Sequence, residues 1–163
     1  ERTVDVHISR LRRALNKSKN AEKKPDILVC SYHGVPKRYL MEGDPYHCQC
    51  QKTTRLLAER LKWDKSHFTT TFQSKFGPEK WVGPSTVDFV AELASKGINN
   101  IAVVAPAFSS DCVETLEEIN EEIAESFSEA GGKDFLYIPC LNDRDDHIKA
   151  LTNILENELS GWL

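Results

Sequence analysis

The segment 101–108, Ile-Ala-Val-Val-Ala-Pro-Ala-Phe, constrains this chain more than any other. It is eight residues long, apolar throughout and interrupted only by Pro106. A strand with one wet face alternates polar and apolar residues, whereas an unbroken apolar strand is covered on both faces. The run is far short of the ~20 apolar residues that a membrane span takes. Strands covered on both faces belong to parallel sheets packed between helices. The rest of the pattern agrees. Residues 27–30, ending near His33, 68–74 and 135–139 read as three more strands. Helical spacing marks Val4, Ile8, Leu11 and Leu15 in 3–16, and Leu56, Leu57 and Leu61 in 46–61. A helix over 85–96 stops at Gly97. Leu116, Ile119, Ile123 and Phe127 mark a helix over 111–130, and Ile148, Leu151, Leu155 and Leu159 one over 144–160. The expected fold is therefore α/β: a three-layer sandwich with a four-stranded parallel sheet flanked by helices.

At 163 residues the chain has about one domain's worth of sequence. With 40% hydrophobic and 28% charged residues it reads as soluble and globular rather than disordered. Five cysteines, an odd number and unevenly spaced, read as thiols in a reducing, cytoplasmic setting. No apolar segment succeeds a basic start, so no secretory signal is expected. The net charge of −4 hides an asymmetry, because residues 1–24 carry eight Lys/Arg against three Asp/Glu. The division expected is an N-terminal helix and polar linker over 1–24, then an α/β domain over 25–163. The acidic body argues against nucleic acid as a partner, since a binding face must neutralise phosphates.

Open α/β sheets bind ligands beyond the carboxyl ends of their strands. Each strand here runs into polar or titratable residues: Ser31-Tyr32-His33-Gly34, Gln73-Ser74-Lys75, Ser109-Ser110-Asp111-Cys112-Val113-Glu114 and Asn142-Asp143. No strand leads into a glycine-rich phosphate loop, which argues against nucleotide cofactors. No Gly-x-Ser-x-Gly elbow is present, which argues against an α/β-hydrolase triad. One His and one Glu at neighbouring strand ends, with aromatic residues about them, are left.

Four segments in order, Ser-Tyr-His-Gly-Val-Pro (31–36), Gly-Asp-Pro-Tyr (43–46), Thr-Phe-Gln-Ser-Lys-Phe-Gly-Pro (71–78) with Trp81, and Phe-Ser-Ser-Asp-Cys-Val-Glu-Thr-Leu-Glu-Glu (108–118), closely resemble the ferrochelatase family. The resemblance spans 25–162 and is nearest to the second half of bacterial members. It implies insertion of ferrous iron into protoporphyrin IX, or into a related porphyrin, to form haem. It also implies His33 as base or iron ligand and Glu114 as its acidic partner, relaying protons or ligating the metal. A neutral imidazole suits both duties. Tyr32, Trp81, Phe108 and Asp111 are the expected substrate-facing residues. Fe²⁺ would be a substrate, with no resident cofactor required. The family's members resemble two such halves, so the resemblance also implies an N-terminal half as partner and a poorly active chain without it. Peripheral membrane contact stays open, as does a relative such as a cobaltochelatase or a half that binds without turning over.

Other readings stand beside these. Asp111 and Glu114 suit a helix N-terminus, Trp81 suits a loop pin, and Asn142 suits a loop cap. Cys48-Gln49-Cys50 beside His47 has too few ligands for a closed zinc or iron–sulfur site. The carboxylates Glu114, Glu117, Glu118, Glu121, Glu122 and Glu125 form either a solvated face or a row that guides divalent cations. Residues 1–15 separately resemble the recognition helix of response-regulator winged-helix domains. Fifteen residues cannot make that domain, so the expected role is structural, with Val4, Ile8, Leu11 and Leu15 docked on the sheet.

Overall fold

The computed structural model describes residues 2–17 and 24–162; most of the expected polar linker, at 18–23, lies outside the described residues. Four strands, β1 (Ile27–His33), β2 (Phe68–Gln73), β3 (Asn100–Val104) and β4 (Asp134–Ile138), form one sheet in the order β2-β1-β3-β4. All three pairings are parallel. The helices are α1 (Arg2–Lys17), α2 (Lys37–Met41), α3 (Tyr46–Leu61), α4 (Thr86–Ser95), α5 (Val113–Leu116), α6 (Ala124–Glu129) and α7 (Asp145–Glu158). A π-helical stretch, Glu118–Ile123, joins α5 to α6.

Strand periodicity sorts the core into two halves. On one face Leu28, Cys30, Tyr32, Ala102, Val104 and Ile138 meet Ile8 and Leu11 of α1 and Cys50 and Leu57 of α3. On the other, Val29, Ile101 and Val103 meet Val90 and Ala94 of α4, with Ile119, Ile123 and Phe127. All five residues of β3 are buried, as the apolar run predicts. The strand ends at Val104 rather than near Ala107, because Pro106 has no N–H to give a ladder. The three-layer α/β sandwich is the fold of the chain.

The chain passes from β1 outward to β2 and then returns to β3 on the other side of β1. Strand order therefore reverses between β1 and β3, which opens a crevice at their carboxyl ends. Helix α1 packs on the sheet face that also carries α3. Ile8 and Leu11 are buried, Val4 and Ala14 pack against them, and Leu15 is half-buried. Arg10 is buried as well, with Nη2 donating to the Ile138 carbonyl at 2.6 Å.

Three local expectations differ. The segment 113–129 is not one α-helix: the Glu122 N–H reaches the Glu117 carbonyl at 3.0 Å, one residue further than an α-helix allows. Leu116, expected inside, is 49% exposed. In α7 the buried residues are His147 and Ala150, while Ile148, Leu151, Leu155 and Leu159 lie open at 39–58% exposure.

Candidate active site

His33 is the last residue of β1 and lies opposite Gln73, the last of β2. The strand fixes its backbone and a carbonyl fixes its ring. Nδ1 lies 2.7 Å from the Gly34 carbonyl, which can only accept, so the proton resides on Nδ1. Nε2 is left with a free lone pair, and the side chain is exposed. The turn beneath it is tight. The Gly34 N–H donates to the Gln73 carbonyl at 2.8 Å, and a Cβ at Gly34 would meet that oxygen at 2.8 Å and the Trp81 ring at 3.0 Å. Tyr46, at the start of α3, donates its hydroxyl to the His33 carbonyl at 3.0 Å.

Across the reversal, β3 leads into Phe108, whose ring centroid lies 6.5 Å from that of His33. Glu114 comes next, in the first turn of α5. Its carboxyl is held below the usual range by its own backbone N–H, by the Cys112 thiol and by the nearby charge of His33, against a small opposing effect of burial. The imidazole and carboxylate thus share one rim. Glu114 is thereby favoured in its ionised form, and the Nδ1 bond of His33 turns Nε2 away from the Gly34 carbonyl.

Trp81 packs its ring over Gly34 and pairs with Pro36 across an isolated bridge. It pins this loop, with its ring against the glycine that follows His33. Two expected substrate-facing residues stand elsewhere. Tyr32 points to the other face of β1, 1% exposed, with its hydroxyl 3.1 Å from Thr54 Oγ1. One residue along a strand reverses the side chain, which is why Tyr32 enters the core while His33 meets the rim. Asp111 turns away from the crevice. Its oxygens accept from the Asn142 amide at 2.7 Å, the Cys140 N–H at 2.9 Å and the Tyr137 hydroxyl at 2.5 Å, while its own N–H donates to Asn142 Oδ1. Burial raises its carboxyl, but the bonds from Asn142, Tyr137 and Cys140 outweigh that and hold it at about 2. Cys112, not Asp111, stands at the helix N-cap.

Buried polar residues support the rim from below. Gln73, 3% exposed, takes a hydrogen bond from Ser31 Oγ at 2.7 Å on its Oε1, and Ser31 is 2.8 Å from Thr86 Oγ1. Gln73 Nε2 donates to the Glu114 carbonyl at 2.7 Å and to Glu118 Oε2 at 3.1 Å. The sequence marks Gln73 and Ser74 as polar strand ends without giving them a part; their partners come from a helix 41 and more residues away, which no local pattern reports. Cys48 is exposed and Cys50 buried, so the two thiols do not face one ligand. Burial pushes the Cys50 thiol up to about 11, partly offset by its bond with Tyr46, which makes it a poor thiolate donor. Among the described residues no group of three or more His, Cys, Asp or Glu is gathered closely enough to hold a metal ion.

A family profile described as ferrochelatase matches residues 1–159. The chain belongs to the ferrochelatase family. A ferrochelatase from Rhodobacter capsulatus is 61% identical over 142 residues, covering 87% of this chain and 40% of the relative. One from Rhizobium etli (strain CIAT 652) is 50% identical over 161 residues, covering 99% and 44%. One from Rhizobium meliloti is 48% identical over 159 residues, covering 97% and 47%. The chain thus spans less than half the length of these ferrochelatases.

Proposed function

We propose that this chain is the part of a ferrochelatase that carries the metallating residues, acting in haem synthesis on protoporphyrin IX or a related porphyrin, with Fe²⁺ as co-substrate. The observation that carries this reading is the pairing of His33 and Glu114 on one rim, with the imidazole proton fixed on Nδ1. Metallation removes two pyrrole protons while Fe²⁺ exchanges water for ring nitrogens. Nε2 of His33 is free to take such a proton or to meet the metal. Glu114, ionised beside it, accepts the proton in turn or holds the incoming cation. No resident cofactor is needed for these steps.

Phe108 and Trp81 supply walls for a flat ring. Exposed Met41, Phe76 and Val113, which lie beyond the carboxyl ends of β1, β2 and β3, add apolar surface at the same end of the sheet. They also suit peripheral contact with a lipid surface. Among the described residues no helix is long and apolar enough to cross a membrane. Tyr32 and Asp111 act at one remove, as core and as loop clamp. The second wall of the crevice belongs to the portion of the family's length that this chain does not match, and that portion is its first partner. The cytoplasm, where thiols stay reduced, suits five free cysteines. Nucleic acid is not a partner in this reading, since Asp and Glu outnumber Lys and Arg over residues 25–163 and a binding face must neutralise phosphates.

The test is metal insertion, read as loss of porphyrin fluorescence. The chain is assayed alone and together with the portion of the Rhodobacter capsulatus ferrochelatase that it does not match. The pair is expected to insert Fe²⁺ or Zn²⁺ and the chain alone to do so poorly. His33→Ala in the pair is expected to lower the rate roughly 100-fold or more, the scale of a lost acid–base group. Equal rates for wild type and His33→Ala overturn the assignment.

A further inference from the structure

Glu118 belongs to the acidic row, yet its carboxylate is not free like a solvated one. Oε1 accepts the Ser74 N–H at 2.6 Å, and Oε2 accepts the Ser74 hydroxyl at 2.6 Å and the Gln73 amide at 3.1 Å. Glu118 is half-buried, whereas Glu117, Glu121, Glu122 and Glu125 are exposed. Ser74 has φ of +60°, a left-handed conformation uncommon for a residue with a Cβ, and it is in this conformation that both of its donors reach Glu118. We infer that Glu118 is a positioning residue, whose carboxylate ties the π-helical stretch to the end of β2 and so sets where Glu114 stands relative to His33.

Three observations carry the step from hydrogen bonds to positioning. First, Gln73 spends one amide hydrogen on Glu118 and one on the Glu114 carbonyl, so a single side chain links the latch to the residue it positions. Second, Gln73 is itself fixed, because its Oε1 accepts from Ser31 and Ser31 joins Thr86, which bonds Thr71 at 2.9 Å. The latch is therefore anchored in the sheet and in α4. Third, the helix needs such an anchor. Four residues of α5 precede the π-helical stretch, too few to hold a fixed direction alone. Three of the roughly four acceptor sites of the Glu118 carboxylate are thereby taken by Ser74 and Gln73.

The inference rests on the functional reading above for its consequence, but its geometry is tested without it. Amide hydrogen exchange on this chain is measured for wild type, Glu118→Ala and Glu118→Gln. The expected result is exchange at least 10-fold faster at Ser74 and across 113–123 in Glu118→Ala, with β1 and β3 unchanged. Glu118→Gln, which keeps an oxygen for Ser74 but turns an amide towards Gln73, is expected to fall between. Unchanged exchange, or a uniform rise across every strand, overturns the inference. In the paired insertion assay Glu118→Ala is expected to lower kcat 10- to 100-fold with KM for the metal unchanged, as displacement of a reacting group does. A raised metal KM at unchanged kcat would make Glu118 a metal-handling group and overturn the inference too. If wild-type insertion does not depend on His33, the functional reading fails while the exchange measurement still decides the latch.

Discussion

At the scale of single residues, side-chain direction decides which of the chemically plausible groups serve the rim. Asp111 shows it most clearly. A carboxylate that accepts from Asn142, Tyr137 and Cys140 is a joint between the β3 and β4 loops, and its use is legible in its acidity. Burial opposes its ionisation, yet the three hydrogen bonds bring it from an ordinary 3.8 down to about 2. A carboxyl whose folded value is depressed adds stability that is complete above its unfolded value and disappears as pH falls through the folded one. The window here runs from about pH 4 down to about 2. Asp111→Asn leaves donors facing an amide that cannot accept from all of them, which costs about 1–3 kcal/mol near neutral pH. Urea unfolding at a series of pH values is expected to show that deficit at about pH 5 and above. The gap should narrow as pH drops towards about 2, because wild type is then losing the same bonds. A gap that stays constant with pH would contradict the role.

At the scale of elements, α1 and α7 make an instructive pair, since the sequence reads both as amphipathic and the structure treats them differently. In α1, Leu11 is fully buried against the sheet. Leu11→Ala is expected to destabilise the chain by about 2–5 kcal/mol in urea unfolding, the range for a leucine cavity in a packed core. A cost below about 0.5 kcal/mol, the size of an ordinary surface change, would mean that α1 is an ornament on the domain and not a part of it. The helical period locates Ile8 and Leu11 and the strand period locates all of β3, because burial leaves a regular trace in the residues themselves. In α7 the same period locates Leu151 and Leu155 but cannot say what covers them, since a pattern of apolar positions names a face and never its partner. The π-helical turn leaves no trace for a related reason. Ile119, Ile123 and Phe127 recur every four residues, a spacing that α- and π-turns both accommodate, while the feature that widens the helix is a backbone bond from Glu122 to Glu117. His33, Glu114, Trp81 and Phe108 are visible from the motifs and their place at strand ends. Gln73 and Glu118 are not, because their meaning lies in a pairing between β2 and a helical segment well beyond it in the chain.

For the whole molecule, the open side of α7 and the rim of the candidate site are neighbours. A cavity of about 160 Å³ beside Phe108 is lined by Val6, His7, Leu141, Leu151 and Ile154, so apolar surface runs from the crevice onto α7. Ile148, Leu155, Leu159 and Trp162 extend it, with Trp162 88% exposed. Isolated apolar residues are ordinary on a surface, but a contiguous set on one helix is not. Its consequence for the chain as it stands is colloidal. Ile154 is 44% exposed and Leu155 58%, so replacing both by Gln removes little buried contact. Each change should stay within about 0.5 kcal/mol of wild type in urea unfolding, as surface substitutions do. Sedimentation velocity at rising concentration is expected to show wild type associating and the Ile154→Gln/Leu155→Gln variant remaining a single species at the same loading. Loss of several kcal/mol on substitution would place these side chains in the core after all, and equal association by both proteins would move the adhesive surface off α7. Because the same face borders Phe108, a stable, non-associating variant would also be the better protein for the insertion and exchange measurements, in which aggregation would otherwise mask changes at His33, Glu114 and Glu118.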